Sequence, residues 1–303
     1  MQAQIQAAIN TPLDIIETNV LSAMERVPIY DGRKMAWGGT AALCASGPSL
    51  ADMIEPIRIC SKNPGIAVFA IKGAHDFLID TDIVPTAMVM MDAKPDQVRY
   101  VQHPHPDVEY WVGTQSDPGV FTALEDSNVI GWHGYNGINT IPGRHIMGGR
   151  STGVRSLALA TSVGFSILHC FAFDCSFLDG NAYATNEGDK RIKKVCDVEV
   201  DGKMFVSTLD MVGQAFDFME ALSAPWCPKV IIYGTGLLPT IAALPPGDHI
   251  IRARLHDPDE KLIYGDDKIS WRELKTMAGE DGWIEMPLSL CSAAVADSQT
   301  VTI

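Results

Sequence analysis

The chain lacks most of the features that classify a protein at a glance. None of its 303 residues falls in a run of the ~18 uninterrupted apolar positions that a membrane-spanning helix needs. The start, Met1-Gln2-Ala3-Gln4-Ile5-Gln6, has no basic stretch of the kind that opens a secretion signal, so a cytoplasmic location and no membrane partner are expected. Cationic side chains are scarce: 23 Lys and Arg stand against 37 Asp and Glu, a formal net charge of −14. A general nucleic-acid or membrane-surface binder needs a basic footprint, and the composition excludes one. A small anionic ligand held locally, with metal ions offsetting charge, stays open. The seven cysteines contain no Cys-x-x-Cys pair and read as reduced core thiols rather than a disulfide frame or zinc site. No Gly-x-x-x-x-Gly-Lys-Ser/Thr occurs, and no Gly-x-Gly-x-x-Gly follows the first strand. The chain therefore carries neither a Walker loop nor a dinucleotide fingerprint.

What is present is an ordinary globular composition, 47% hydrophobic and 20% charged, with enough length for one large or two modest domains. Thr11-Pro12-Leu13-Asp14 predicts a helix start with Thr as cap and Pro at the first position. Its residues Ile15, Ile16, Val20, Leu21 and Met24 should pack on the body. Strands are predicted at 41–45, 66–71, 86–91, 109–113, 128–132, 167–173 and 229–233, with helices at 49–60, 74–79, 118–125, 152–163 and 208–222 between them. The strands are apolar throughout rather than alternating, as strands covered on both faces are. The alternation implies an α/β fold: a Rossmann-like, open, mostly parallel sheet with helices on both faces. Residues 194–207 alternate around Asp201-Gly202, a two-residue hairpin signal. The expected division is an N-terminal helical segment (1–37), a Rossmann-like nucleotide-binding domain (38–240) and a small C-terminal extension (241–303).

In such a sheet the ligand crevice lies beyond the carboxyl ends of the strands. The first strand stops at Ser46-Gly47-Pro48-Ser49 and turns into a helix, with Gly47 for a close approach, Pro48 at the first helical position and Ser46 or Ser49 as cap. Free N–H groups and the positive dipole end would then meet a phosphate. A second such start, Gly148-Gly149-Arg150-Ser151-Thr152-Gly153, adds hydroxyls and, with Arg155, charge-assisted bonds. Asp92 and Asp174 end apolar strands, where a carboxylate can hold Mg²⁺ against a phosphate. His75 and His133 also stand at strand ends, where either could be a general base, though a partly buried structural histidine is the plainer expectation for each, whereas His169, inside an apolar strand, reads as core. The imidazoles of His103-Pro104-His105-Pro106 have no third ligand nearby.

Taken together, Ala45-Ser46-Gly47-Pro48-Ser49-Leu50, a strand ending at Asp92, Gly149-Arg150-Ser151-Thr152-Gly153 opening a helix, and Phe171-Ala172-Phe173-Asp174 resemble the 6-hydroxymethylpterin diphosphokinase MptE-like family. That is a Rossmann-like group that also turns up among phage and flagellar-accessory proteins. The pattern is similar, more distantly, to bacterial sialyltransferases that use a cytidine nucleotide sugar. The resemblance covers about residues 38–235. It implies that Ser46, Gly47, Pro48 and Ser49 hold nucleotide phosphate and that Gly149, Arg150, Ser151, Thr152 and Gly153 face the nucleotide. Asp92 and Asp174 would then serve as catalytic and metal-holding acids, with Tyr183 and His133 on the acceptor side. The function it implies is a Mg²⁺-dependent transferase that moves a diphosphate from a nucleotide such as ATP to a small-molecule hydroxyl acceptor. A glycosyltransferase using a nucleotide sugar and a non-catalytic nucleotide- or protein-binding module are the alternatives. Nothing in the sequence indicates the oligomeric state.

Overall fold

The computed structural model describes residues 11–33, 39–134, 143–149, 151–184, 195–256 and 281–290. Among them, eight strands form one parallel sheet and four form an antiparallel sheet. The parallel sheet contains β1 (Thr40–Cys44), β2 (Ile66–Ile71), β3 (Ala87–Met90), β4 (Glu109–Gly113), β5 (Asn128–Gly134), β6 (His145–Ile146), β7 (Ile167–Phe171) and β10 (Lys229–Tyr233). Their order is β10-β7-β1-β2-β3-β4-β5-β6. The interior strands are buried almost end to end, which is why they read as unbroken apolar runs. Helices α2 (Ile54–Lys62), α3 (Ala74–Asp80), α4 (Pro118–Ala123), α5 (Thr152–Val163), α6 (Leu209–Ser223) and α7 (Leu237–Ala242) cross between strands. The open Rossmann-like sheet expected from the sequence is the architecture found. Residues 48–53 form a 3₁₀ turn that leads into α2.

Two differences from the sequence reading are instructive. The first helix, α1 (Leu13–Arg26), has Pro12 rather than Thr11 at its cap position, with no side-chain cap bond. It buries a narrow stripe of Ile16, Asn19, Val20 and Ala23, while Ile15, Leu21 and Met24 face outward. The stripe is narrow because α1 packs chiefly on the short α4, and Asn19 joins it by donating from Nδ2 to the Gln115 carbonyl (3.1 Å).

The second concerns the C-terminal extension, which carries sheet. The hairpin β8 (Val195–Val200) and β9 (Lys203–Thr208) turns at Asp201 and Gly202 with φ of 49° and 74°, the paired positive values a two-residue turn requires. It does not join the parallel sheet. It pairs with β11 (Gly247–Leu255), which pairs in turn with β12 (Ile284–Leu290). Cys196, Val198, Val200, Ile251 and Ala253 from this second sheet share one core with α6 residues Val212, Ala215 and Phe218. On the other face Arg254 and His256 both bond Asp197, and Arg252 and Arg254 flank the Trp283 ring. The weak periodicity beyond residue 245 reflects β11, which lies between β12 and β8 yet buries only Ile251 and Ala253 of its nine residues.

All six described cysteines are free, and burial pushes the Cys175 thiol up to about 12. Cys291 lies outside the described residues. Among those residues no helix is long and apolar enough to cross a membrane.

Two of the histidines serve the scaffold. His169 Nδ1 meets the Tyr233 hydroxyl at 2.9 Å. His75 is buried, with Nδ1 2.6 Å from Asp76 Oδ1 and Nε2 3.0 Å from the Tyr110 hydroxyl, which accepts the His105 N–H at 2.7 Å. One proton arrangement satisfies every partner: Tyr110 donates to Nε2, and Nδ1–H donates to Asp76. Replacing Tyr110 with Phe leaves a buried acceptor and a backbone donor unpaired, and should lower unfolding stability by about 1–3 kcal/mol in a denaturant titration, with the secondary structure retained.

Candidate functional site

Strand order reverses at β1, which has β2 on one side and β7 on the other. Chains leaving these two strands diverge to opposite faces, and the crevice opens between them. The ends of β1 and β7 are tied together there. Asp174, three residues past β7, is 2% exposed. Its Oδ2 accepts the Ser49 N–H (2.8 Å) and its Oδ1 the Ser49 hydroxyl (2.7 Å). The Gly47 N–H bonds the Ala172 carbonyl (3.1 Å), and the Asp174 carbonyl accepts Leu238 N–H (3.0 Å) from the third strand end. The carboxylate thus stands where the sequence reading placed a phosphate, at the N-terminal end of the helical turn after β1.

This clasp explains the glycines. Gly47 has an ordinary extended backbone, so its role is proximity: a Cβ there would collide with the Ala172 carbonyl oxygen and lie 2.5 Å from Asp174 Oδ2. A Cβ on Gly236 would lie 2.5 Å from the Asp174 Cβ and carbonyl oxygen. Gly47 does allow a close approach, and the approaching group is protein. Burial raises the Asp174 carboxyl above its ordinary value, outweighing the bonds from Ser49 and Gly236 that lower it.

Asp92 and Lys72 form a second arrangement. Lys72, just past β2, has φ of 49°, a left-handed conformation costing about 1–2 kcal/mol for a residue with a Cβ. Its Nζ lies 3.3 Å from Asp92 Oδ2, both side chains being partly exposed. Asp92 Oδ1 accepts the Lys94 N–H (3.3 Å), so the acid also caps its own turn. From Asp174 to Asp92 is three strand steps, about 14 Å at the usual spacing. The two aspartates occupy separate parts of the edge.

At the start of α5, Ser151 Oγ accepts the Val154 N–H (3.2 Å), leaving the N–H groups of Thr152 and Gly153 outside the helix's own ladder. Gly153 packs against the Phe173 ring beyond β7, while α5 lies on β2 and β3. Arg155 donates from Nε to the Gly149 carbonyl (3.0 Å), and burial brings its guanidinium down to about 10, still cationic at neutral pH. Gly148 lies against Arg155, and Gly149 against Asp217. Arg150 is outside the described residues.

Tyr183 is brought near the clasp, since the next residue, Ala184, donates its N–H to the Ser46 carbonyl (3.1 Å). His133 is elsewhere, five strand steps from β7, about 24 Å away. It is 2% exposed, with Nδ1 on Thr114 Oγ1 (2.9 Å) and, among the described residues, no hydrogen-bond partner for Nε2. Burial and the neighbouring His145 lower its pKa, keeping the ring neutral. Tyr183 and His133 therefore do not border one acceptor. Among the described residues no three His, Cys, Asp or Glu side chains converge as a metal cluster.

Beside the clasp is a cleft of about 300 Å³. Pro48, Asp174, Ser176, Thr235 and Gly236 line one side; Phe177, Leu178, Met204 and Val206 line the other. The wall contributed by β9 could not be read from the sequence, because only the tertiary fold brings the hairpin to this edge. Gly234-Thr235-Gly236 had a visible signal in its echo of the first strand end.

These features define a Rossmann-like protein with a crevice at the point where its strand order reverses. The chain belongs to the 6-hydroxymethylpterin diphosphokinase MptE-like family, whose sequence pattern matches residues 19–180. Among solved structures it is similar to the MAf glycosyltransferase from Magnetospirillum magneticum AMB-1, with a TM-score of 0.56 and 16% identity. That match covers 74% of this chain and 37% of the other, and at such identity the likeness is one of fold. Comparison with curated proteins gives no match.

Replacing Asp174 with Ala should strand the Ser49 donors and lower stability by about 3 kcal/mol. Asn, which keeps the shape, should cost less than half as much. Because the folded carboxyl is raised, ionisation weakens the fold. Chemical denaturation at several pH values should therefore show the balance between wild type and Asp174→Asn shifting toward wild type as pH falls through the carboxyl's folded value and levelling off below its unfolded one.

Proposed function

We propose that this protein is a nucleotide-dependent transferase that holds a nucleoside di- or triphosphate across the ends of β1, β2 and β3, against the start of α5. There it passes a diphosphate, or another nucleotide-borne group, to a small hydroxyl acceptor. What supports this reading is the α5 start, whose Ser151 cap leaves the Thr152 and Gly153 N–H groups outside the helix's own ladder, in a chain of the MptE-like family. Gly153, held against Phe173, keeps that start close to the strand ends. The 300 Å³ cleft beside Pro48 and Gly236 is the place for the acceptor, bordered by Asp174.

A Mg²⁺ ion, when bound, would neutralise charge on the phosphates. It usually takes one or two carboxylates plus phosphate oxygens and water. Asp92 fits that role: a partly exposed strand-end carboxylate with, among the described residues, one long ion pair. Asp174, buried and bonded through both oxygens to Ser49, shapes the crevice wall. Chemistry of this type depends mainly on positioning and charge neutralisation, so no nucleophile from the protein is required. The glycosyltransferase among similar folds supports nucleotide-sugar transfer as the second reading.

ATP or another nucleotide with Mg²⁺ should raise the melting temperature, by ligand linkage to the folded state. Silence across a panel of nucleoside diphosphates, triphosphates and nucleotide sugars would remove the nucleotide reading. AMP released from ATP in the presence of acceptor marks diphosphate transfer, nucleotide released from a nucleotide sugar marks glycosyl transfer, and binding without either marks a non-catalytic module.

A further inference from the structure

We infer that Lys72 is a cation that receives the nucleotide's phosphates, and that Asp92 is its resting partner, freed when the phosphates arrive. The inference rests on the nucleotide reading above and deepens it at one residue. A chain of net charge −14 that holds a polyphosphate needs a cation placed locally. Arg155, on α5, is turned to the Gly149 carbonyl and lies against Gly134 at the end of β5. Lys94 opens the 3₁₀ turn that follows Asp92. Lys72 stands at the end of β2, one strand from the Ser46 turn and one from Asp92, beneath the helix whose start offers the backbone donors.

Its backbone supports the same role. Lys72 takes the left-handed conformation while its neighbour Gly73 keeps an ordinary φ of −59°. A glycine would suit position 72 better. Non-glycine residues held this way recur at ligand sites, where a side chain must be aimed against backbone preference. Among the described residues the side chain so aimed makes one ion pair, at 3.3 Å, with the partly exposed carboxylate past the neighbouring strand. A long, single, solvent-accessible pair of this kind is weak and readily exchanged. A diphosphate offers more charge and more acceptor oxygens than the Asp92 carboxylate. When Lys72 moves to it, Asp92 is released to face a cation on the same phosphates.

The test is titration calorimetry with inorganic diphosphate in magnesium-free buffer, together with melting temperatures. Lys72→Met should weaken binding about tenfold to a hundredfold, as expected for loss of one charge-assisted bond, whereas Lys72→Arg should bind within a few-fold of wild type. Lys72→Gly should lose binding equally while melting at or above the wild-type temperature, a combination that a merely structural lysine would not give. Asp92→Asn should bind magnesium-free diphosphate at least as tightly as wild type, yet gain less when Mg²⁺ is added. The charge control Lys62→Met, at the far end of α2, should bind as wild type does. Unchanged binding by Lys72→Met overturns the assignment, as does Asp92→Asn losing as much as Lys72→Met without magnesium. If wild type ignores diphosphate while a nucleotide still raises its melting temperature, the role of Lys72 falls and the nucleotide reading stands. If both are silent, the two fall together.

Discussion

A single buried carboxylate holds the carboxyl edge of this sheet together. Asp174 accepts two bonds from Ser49, and its backbone accepts one from Leu238, so the chains leaving β7, β1 and β10 converge on it. These strands lie side by side where the strand order reverses, the place where chains leaving a parallel sheet naturally separate. A charged group this deeply buried is costly unless its bonds are satisfied. Ser49 supplies the bonds, and the glycines at 47 and 236 supply the room.

The clasp divides the work along the edge. Around Asp174 the polar groups bond one another, and what remains toward solvent is a cleft walled on one side by the β9 hairpin. Further along the edge the groups are partly exposed and paired at longer range: Lys72 with Asp92, on the strands that α5 covers. The second sheet belongs to this design, since β8, β11 and α6 share a core that sets β9 against the strand ends.

Seven of the eight strands of the parallel sheet could be read from the sequence with small boundary shifts, because doubly covered strands are apolar at every position; the two-residue β6 and the short α7 were too brief to show a pattern. The Asp201-Gly202 turn was equally legible, since few residues tolerate two successive positive φ values. The N-terminal helix was read too generously: five apolar residues suggested a broad buried face, and α4 covers only part of it. The extension beyond residue 245 was not legible as sheet. The strand pairing of β11 and β12 with the hairpin leaves no local pattern strong enough to announce it.

The sequence by itself determined the fold class, because local periodicity and turn chemistry are properties of short segments; for a site it could only nominate residues by their strand-end position. Only the tertiary structure decided how those residues divide. Ser49 and Asp174, both expected at the ligand, bond each other instead. Asp92 meets Lys72, and His133 stands four strand steps from β1, beside whose end Tyr183 lies. The physical reason is the order of strands. Which polar groups neighbour one another across a parallel sheet depends on pairings between segments up to 127 positions apart, as Thr40 and Ile167 are, and no local signal records them.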